Sequence, residues 1–262
     1  RQEKIVYAGE ISNVVGEAGT NVGGMLEKVR QTMADLTEKE PSDIYIRDLL
    51  AVNTFAPISV RGGVAGEFSM EQAVGIASMV NSDKLQMSII AQEVERELGI
   101  TVEIGGAEAE AAILGALTTP GTDRPLAILD LGAGSTDASI IDSRGQILAV
   151  HLAGAGDMVT MLINSELGLE NHHLAEDIKR YPLAKVESLF HIRHEDGTVQ
   201  FFDKPLSGDL FARVVIVKEN DEFVPIDDGD YSIEKIKLVR QSAKERVFVT
   251  NAVRALKRVS PT

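Results

Sequence analysis

Apolar residues recur at helical spacing in the first part of this chain. Between residues 22 and 36 they lie four and three positions apart, and Thr20 and Asn21 are suitable N-terminal caps, so a helix is predicted there. Residues 69–72 read Ser-Met-Glu-Gln, which is the form of a capping box. We therefore expect a second helix that continues to about Val80.

Two further helices and one strand are expected before residue 120. Ser82 and Asp83 cap a helix that ends at Gly99 and turns four apolar side chains inward: Met87, Ile90, Val94 and Leu98. Residues 100–104 alternate between apolar and polar, which is typical of a strand, and a helix over residues 107–117 follows. The first part of the chain is therefore predicted to be rich in helix.

A loop over residues 118–125, rich in threonine and proline, separates this part from a mixed second part. The pattern beyond the loop predicts three strands and two helices, at residues 126–131, 138–141, 146–152, 157–167 and 174–180.

Two hairpins and a last helix complete the predicted elements. The first hairpin pairs residues 189–194 with 198–202 across an acidic glycine turn, and the second pairs residues 212–217 with 222–226. Ser232 caps the last helix, whose periodic apolar residues run as far as Val253.

Composition excludes several classes of function. The chain has 40 acidic and 26 basic residues, so its net charge is −14 and general binding to nucleic acid is disfavoured. The absence of cysteine excludes disulfides, thiolate metal sites and cysteine nucleophiles, and it fits a reducing cytoplasm. No apolar run approaches the roughly 18 residues that a membrane helix needs, so no membrane span is expected.

The segment from Asp130 to Asp137 carries the most specific chemical signal. A strand delivers one carboxylate, and a glycine turn and two hydroxyl residues follow it: Gly132, Gly134, Ser135 and Thr136. Glycines permit positive φ and let backbone N–H groups approach an anion, and the hydroxyls add donors. A carboxylate beside a phosphate needs a cation or water between them, so Asp130 is expected to hold hydrated Mg²⁺ or the attacking water. The alternative is a hairpin in which a buried Asp130 only hydrogen-bonds the turn.

Residues 130–137 resemble the second phosphate motif of the actin-like, ribonuclease-H-like ATPase superfamily, D-x-G-x-G-S/T-x-D on a β-hairpin. Residues 108–115 resemble the connecting helix of that superfamily, where an acid and small residues lie at the hinge, here Glu108 and Gly115. Residues 153–157 resemble the turn into the next helix. The resemblance implies an α/β fold, part of one lobe of an actin-like ATPase, that binds ATP or ADP with Mg²⁺.

A short helix farther along resembles the adenosine-facing helix of the heat-shock chaperones in this superfamily. The resemblance implies nucleotide contacts from five consecutive residues: Glu176, Asp177, Ile178, Lys179 and Arg180. An acid there accepts hydrogen bonds from ribose hydroxyls, and the two basic residues reach phosphate or flank the base. Taken alone, this pattern is also typical of a solvated helix face.

Longer stretches are similar to one family within the superfamily, the large subunits of the diol and glycerol dehydratase reactivating factors. Six stretches carry the similarity: residues 19–25, 105–115, 126–141, 151–160, 181–191 and 242–251. The similarity implies a chaperone-like ATPase that releases damaged cobalamin from an adenosylcobalamin-dependent diol or glycerol dehydratase. It also implies two protein partners, the reactivase small subunit and the dehydratase, and association with a bacterial microcompartment.

The same resemblance predicts how the chain is organised. Residues 1–120 are expected to be a helix-rich part of the ATPase domain. Residues 121–262 are expected to be a ribonuclease-H-like nucleotide-binding part with a β-hairpin insertion at about 186–230. The superfamily's first phosphate motif and late adenosine turn are not found, so we expect an internal fragment that is inactive alone. Two other functions stay open: a small-molecule kinase of the superfamily, and a scaffold that docks on the dehydratase without nucleotide.

Overall fold

The structure is a computed structural model, and it describes residues 13–53, 74–80, 84–105, 108–119, 126–226 and 231–260. Two compact units share the chain. Unit 1 comprises Arg1–Ala51, Ile76–Gly156 and Thr250–Thr262, and unit 2 comprises Val52–Gly75 and Asp157–Val249. Unit 1 includes residues on both sides of the loop 118–125. The boundary between the two compact units therefore does not lie at that loop. The predicted division into two parts of an ATPase domain stays a prediction.

Helices and strands are mixed along the chain, as the predicted α/β class requires. The helices are α1 (Asn21–Thr37), α2 (Lys84–Leu98), α3 (Glu108–Ala116), α4 (Gly156–Leu167), α5 (His172–Arg180), α6 (Ile233–Lys244) and α7 (Thr250–Val259). The strands are β1 (Ile46–Asn53), β2 (Val74–Val80), β3 (Leu126–Leu131), β4 (Ser135–Ile141), β5 (Ile147–Ala153), β6 (Leu183–Ser188), β7 (His191–His194), β8 (Val199–Phe201), β9 (Val214–Val217) and β10 (Phe223–Pro225). No helix in the described part of the chain is both long and apolar enough to cross a bilayer.

Unit 1 contains an antiparallel sheet in the order β3-β4-β5, which confirms the three predicted strands. Directly paired residues share a face of the sheet, so the register places Asp130, Asp137 and His151 side by side on one face.

Helix α7 packs on the opposite face of this sheet. Ala138 and Leu152 form a buried apolar cluster there with Ala255 and Val259 of α7. Helix α3 also packs against all three strands. The sheet therefore presents one apolar face to α7 and carries a row of ionisable residues on the other.

Unit 2 contains an antiparallel sheet in the order β10-β9-β6-β7-β8. The two predicted hairpins are confirmed as β7–β8 and β9–β10. Strand β6 was not predicted, and it joins the two hairpins by pairing with both β7 and β9. The hairpins therefore belong to one sheet, with a core formed by Ala184, Val186, Ile192, Leu210 and Val215.

Two predicted helix starts are confirmed by their caps. Thr20 Oγ1 accepts a hydrogen bond from Gly23 N at 3.0 Å at the start of α1. Ser232 Oγ accepts from Lys235 N at 3.3 Å at the start of α6. Each bond satisfies one N–H group that the first turn of a helix leaves without a partner.

The helix predicted to reach Val80 is wrong, because Val74–Val80 is strand β2, paired with β1. The capping residues 69–72 lie outside the described residues. A short apolar run of this kind does not distinguish strand from helix by periodicity, and pairing with a neighbouring strand decides between them.

Strand β1 itself was not predicted. Its inward positions alternate as Ile46, Asp48, Leu50 and Val52, and all four are buried. An aspartate in the buried series interrupts the apolar alternation by which a strand is predicted. The first part of the chain, which was predicted to be rich in helix, therefore also contains a two-stranded sheet.

Two predictions around α2 are also wrong. Met87, Ile90 and Leu98 were expected to face inward, but each is about half exposed or more. Residues 101–105 form no strand, and Ile100 and Ile104 are exposed. Periodicity identifies an apolar face, but it does not say which element covers that face.

The predicted last helix is interrupted by a π-helical turn, Glu245–Val249, between α6 and α7. Buried residues recur every four positions there: Ala243, Val247, Asn251, Ala255 and Val259. An α-helix repeats every 3.6 residues, so its buried face would drift away from this series. A wider turn corrects the drift and keeps the series buried.

Candidate functional site

A tight turn joins β3 to β4 in unit 1, where the phosphate motif was predicted. Gly132 N donates to Ser135 O at 3.0 Å and closes the turn. The N–H groups of Ala133 and Gly134 donate no hydrogen bond within the described residues, and both residues are exposed. Successive unpaired amides form the kind of concavity that binds phosphate oxygens. The turn therefore offers two donors to an anion.

The two glycines of this turn differ in the space around them. Neither Gly132 nor Gly134 has a positive φ, so the turn does not use the conformational freedom that glycine permits. A Cβ on Gly132 would lie 3.3 Å from Ser135 O, which is tight. A Cβ on Gly134 would have no described atom within 4 Å. Gly134 therefore keeps open the space beside the unpaired amides.

Asp130 and Asp137 lie directly opposite each other across β3 and β4. Asp137 is 3 % exposed, accepts from Ser135 Oγ at 2.8 Å and has His151 Nδ1 at 2.7 Å from its Oδ1. Asp130 is half-buried, and its carboxylate has no hydrogen-bonding or ion-pair partner among the described residues. The alternative in which Asp130 hydrogen-bonds the turn is therefore not what the structure shows.

The chemistry of this pair fits a hydrated cation. Two carboxylates directly opposite each other repel, and a nearby positive charge relieves that repulsion. The described residues contain no group of three side chains suited to hold a metal ion directly. Mg²⁺ usually keeps several of its waters and needs only one or two carboxylates, so Asp130 suits contact through water.

The two hydroxyl residues of the motif are engaged within the protein. Ser135 donates to Asp137, as described above. Thr136 is fully buried, and its Oγ1 donates to Gly154 O at 2.9 Å. The Thr136 hydroxyl therefore stabilises the neighbouring turn, although it was predicted to be a phosphate donor.

A second turn, at residues 153–157, packs directly on the first. Gly154 N donates to Gly134 O at 2.9 Å, and Gly156 N donates to Gly132 O at 3.1 Å. Gly154 has φ +95°, a conformation that favours glycine. Residues 153–157, which resemble the superfamily's turn into the next helix, therefore contact the 130–137 hairpin directly.

Three polar residues beside these turns were missed in the sequence. Asp48, Asn251 and Arg254 lie on β1 and α7, and each hydrogen-bonds either the second turn or another of the three. The signals in the sequence were weak: an aspartate within an alternating apolar run, and an asparagine within a buried helical series.

Helix α5 of unit 2 carries the residues predicted to contact adenosine. Thr160 Oγ1 donates to Glu176 Oε2 at 2.5 Å, and Lys179 Nζ lies 2.6 Å from the same oxygen. Burial opposes ionisation of Glu176. The hydrogen bonds from Lys179 and Thr160, with the charges of Lys179 and Arg180, outweigh it and hold the Glu176 pKa below its ordinary value.

The other α5 residues divide between surface and core. Asp177 pairs with Lys218 at 2.7 Å, and this hydrogen bond raises the pKa of Lys218 despite the opposing effect of burial. Ile178 is fully buried, so its side chain belongs to the core of unit 2. The guanidinium of Arg180 lies 5.5 Å from the centre of the Tyr181 ring. Nucleotide contact by these residues stays a prediction.

The predicted hinge residues lie on α3. Gly115 is exposed, and a Cβ there would have no described atom within 4 Å. No close helix crossing at Gly115 is therefore seen among the described residues. Glu108 is the first residue of α3. The hinge role of both residues stays a prediction.

Comparison with known proteins shows which family this sequence resembles. The sequence matches the family described as "Diol dehydratase reactivase ATPase-like domain" over residues 2–262. It is 71% identical over 254 residues to the propanediol dehydratase-reactivating factor large subunit of Salmonella typhimurium strain LT2. It is also 71% identical over 254 residues to the diol dehydratase-reactivating factor large subunit of Klebsiella michiganensis.

Two solved structures agree with the fold. A structure of diol dehydratase-reactivating factor in nucleotide-free form matches with a TM-score of 0.79 and 70% identity, covering 97% of this chain and 42% of that chain. A structure of glycerol dehydratase reactivase matches with a TM-score of 0.79 and 62% identity, covering 95% of this chain and 41% of that chain.

The match extends over nearly all of this chain but over less than half of its relatives. Each of the two curated relatives aligns with 97% of this chain and with 41% of its own length. The β3–β4 hairpin and the turn packed on it lie within the matched residues. The chain therefore belongs to the diol dehydratase reactivase ATPase-like domain family.

Proposed function

We propose that this chain is part of the large subunit of an ATP-dependent reactivating factor, which releases damaged cobalamin from diol or glycerol dehydratase. One observation carries the proposal: two unpaired amides and the unpartnered Asp130 carboxylate lie at one turn of a reactivase ATPase-like domain. The client is inferred from the names of the relatives, which include reactivating factors of diol, propanediol and glycerol dehydratases.

In this proposal the β3–β4 turn holds the phosphates of ATP. The N–H groups of Ala133 and Gly134 donate to phosphate oxygens, and the open space at Gly134 allows the close approach. Asp130 holds hydrated Mg²⁺ or orients the attacking water at the end of β3. Mg²⁺, when bound, neutralises charge on the phosphoryl group being transferred.

The remaining residues have supporting roles in the same proposal. Asp137 is held by Ser135 and His151, and a carboxylate at that position disfavours an anion on the same side of the sheet unless a cation lies between them. Glu176 and Lys179 of α5 contact adenosine. Hydrolysis of ATP is coupled to remodelling of the dehydratase, and no chemistry is performed on the diol. The subunit acts with a reactivase small subunit, in the cytoplasm or a bacterial microcompartment.

The test is reactivation of a dehydratase that has been blocked with cyanocobalamin. The blocked enzyme is incubated with the full-length large subunit and the small subunit, with adenosylcobalamin present throughout. We expect activity to return with ATP and Mg²⁺ and not without nucleotide. Equal recovery without nucleotide would instead support a docking scaffold, and phosphorylation of a small alcohol would support a kinase.

A further inference from the structure

Unit 1 contains a group of buried polar residues that the proposed phosphate site does not use. Asp48 on β1 is 2 % exposed, Asn251 on α7 is fully buried, and the Arg254 side chain is 16 % exposed. Burying such groups is costly unless each finds a hydrogen-bonding partner, so their partners indicate what they do.

Their hydrogen bonds close into a ring with Ala153. Ala153 N donates to Asp48 Oδ2 at 2.9 Å, and Ala153 O accepts from Asn251 Nδ2 at 2.8 Å. Arg254 Nη1 donates to Asn251 Oδ1 at 2.6 Å, and Arg254 Nη2 donates to Asp48 Oδ1 at 2.7 Å. We call Asp48, Ala153, Asn251 and Arg254 the support ring.

The support ring holds the turn that packs on the phosphate turn. Asn251 Nδ2 also donates to Gly154 O at 2.6 Å, and Gly154 O accepts from Thr136 Oγ1 as well. Gly154 N in turn donates to Gly134 O. A continuous series of hydrogen bonds therefore runs from the buried carboxylate of Asp48 to the exposed glycine turn.

We propose that Asp48, Asn251 and Arg254 are positioning residues that set the geometry of the β3–β4 turn for phosphate binding. The proposal rests on the proposed function, because it assigns these residues to the same site. None of the three need touch the nucleotide, and each acts through the 153–156 backbone. Asp48 lies on β1, whereas Asn251 and Arg254 lie on α7, far away in the sequence. Both elements must therefore be folded and packed before these residues can fix the turn.

Arg254 is the residue that couples the other two. Its two terminal nitrogens bond different partners, and the bond to Asn251 Oδ1 directs the amide nitrogen of Asn251 toward the carbonyls of residues 153 and 154. A lysine keeps the positive charge beside Asp48, but it has a single nitrogen in place of a planar fork. Arg254→Lys therefore tests positioning with little change in net charge.

The test compares Arg254→Lys and Asp48→Asn in the full-length subunit with a matched control pair. Arg246 and Glu166 form another buried arginine–carboxylate pair, with side-chain exposures of 23 % and 5 % against 16 % and 3 % for Arg254 and Asp48. Both control residues belong to unit 2. Arg246→Lys and Glu166→Gln should cost similar thermal stability without disturbing the turn.

Two measurements are made on every variant. We expect kcat/KM for ATP hydrolysis to fall by ~10-fold or more in Arg254→Lys and in Asp48→Asn, and to stay within about twofold of wild type in the controls. We also expect the amide hydrogens of Gly154 and Gly156 to exchange with solvent at least ~10-fold faster in the ring variants than in the controls.

The outcomes separate this inference from the proposed function. A wild-type subunit that does not hydrolyse ATP overturns the proposed function, and exchange at Gly154 and Gly156 still reports on the ring. Ring variants that match the controls in both measurements overturn the positioning role. Faster exchange with unchanged kcat/KM overturns it as well, since the turn would then be loosened without effect on ATP. If Arg254→Lys does not fold, Asp48→Asn decides by the same criteria.

Discussion

Two aspartates face each other on β3 and β4, and their surroundings give them different roles. Asp137 is buried and held by Ser135 and His151, so it stabilises the hairpin. Asp130 has no partner among the described residues and remains available to a ligand. At the scale of single residues, the candidate for function is therefore the carboxylate that has no hydrogen-bonding partner in the described part of the fold.

The first prediction is therefore that Asp130→Asn separates catalysis from stability. The substitution breaks no described hydrogen bond and removes a charge opposite Asp137, so the free energy of unfolding should change by less than about 0.5 kcal/mol. ATP hydrolysis by the full-length subunit should fall by ~10²-fold. Thermal denaturation and a phosphate-release assay on one preparation measure both quantities.

Asp137→Asn is the matched control for that prediction. It changes the acceptor of two hydrogen bonds in a buried position, so it should destabilise the protein by about 1–3 kcal/mol. Equal loss of stability in the two variants would mean that Asp130 is as much a structural residue as Asp137.

The second prediction concerns Gly134, whose missing side chain leaves open space beside the unpaired amides. A Cβ there meets no described atom and φ is not positive, so Gly134→Ala should leave the melting temperature nearly unchanged. The methyl group would occupy space that a phosphate needs, so ATP affinity should fall by ~10-fold or more. Calorimetric titration of ATP into the full-length variant measures the affinity.

Gly154→Ala provides the contrasting case. Gly154 has φ +95°, where an alanine is strained, so this variant should lose about 1–2 kcal/mol of stability. If instead Gly134→Ala bound ATP as tightly as wild type, the turn would not be the phosphate site.

At the scale of elements, helix α5 carries Glu176, which is predicted to contact the nucleotide and whose ionisation should make the stability of the protein depend on pH. Glu176 is paired with Thr160 and Lys179, and its pKa lies below the ordinary value. A carboxyl with a depressed folded-state pKa contributes stability above its unfolded pKa of about 4.3, and this contribution disappears as pH falls through the folded pKa.

The third prediction follows from that sign. Wild type should be more stable than Glu176→Gln near pH 7, by less than about 1 kcal/mol because the side chain is partly exposed. The difference should shrink as pH falls from about 5 toward 3. Melting temperatures of both proteins across this range measure it. A difference that grows on acidification would contradict the assigned ion pair.

Elements also show how far the sequence could predict this fold. The caps at Thr20 and Ser232 and the turn of the 130–137 hairpin are local features, and each was predicted. Strand β2 was mistaken for helix because only its pairing with β1 distinguishes the two. The π-helical turn arises because buried positions recur every four residues along α6 and α7. The prediction of one continuous α-helix assumed a repeat of 3.6 residues and therefore missed this turn.

The residues of the candidate site also divide into local ones, which the sequence predicts, and distant ones, which it does not. Asp130 and the glycine turn lie in eight consecutive residues, so their spacing alone predicts a phosphate loop. The support ring joins Asp48 to Asn251 and Arg254 across nearly the whole chain, and no local pattern reports such a contact. Thr136 was assigned to phosphate because a sequence does not show that its hydroxyl reaches Gly154.

At the scale of the whole molecule, this chain covers 41% of its curated relatives. The fourth prediction is that the chain alone binds ATP far more weakly than the full-length subunit, because one turn supplies only some of the donors that a triphosphate needs. Calorimetric titration of both proteins under the same conditions makes the comparison. Micromolar affinity of the isolated chain would show that its own residues complete the site.

The central claim is that the 130–137 hairpin couples ATP to reactivation of a dehydratase. It is tested most directly by reactivating a cyanocobalamin-blocked dehydratase with a complex whose full-length large subunit carries Asp130→Asn. We predict that this complex assembles and binds the dehydratase as wild type does, while ATP hydrolysis and ATP-dependent recovery of activity are both lost. Hydrolysis within about threefold of wild type, together with normal recovery, would contradict the account.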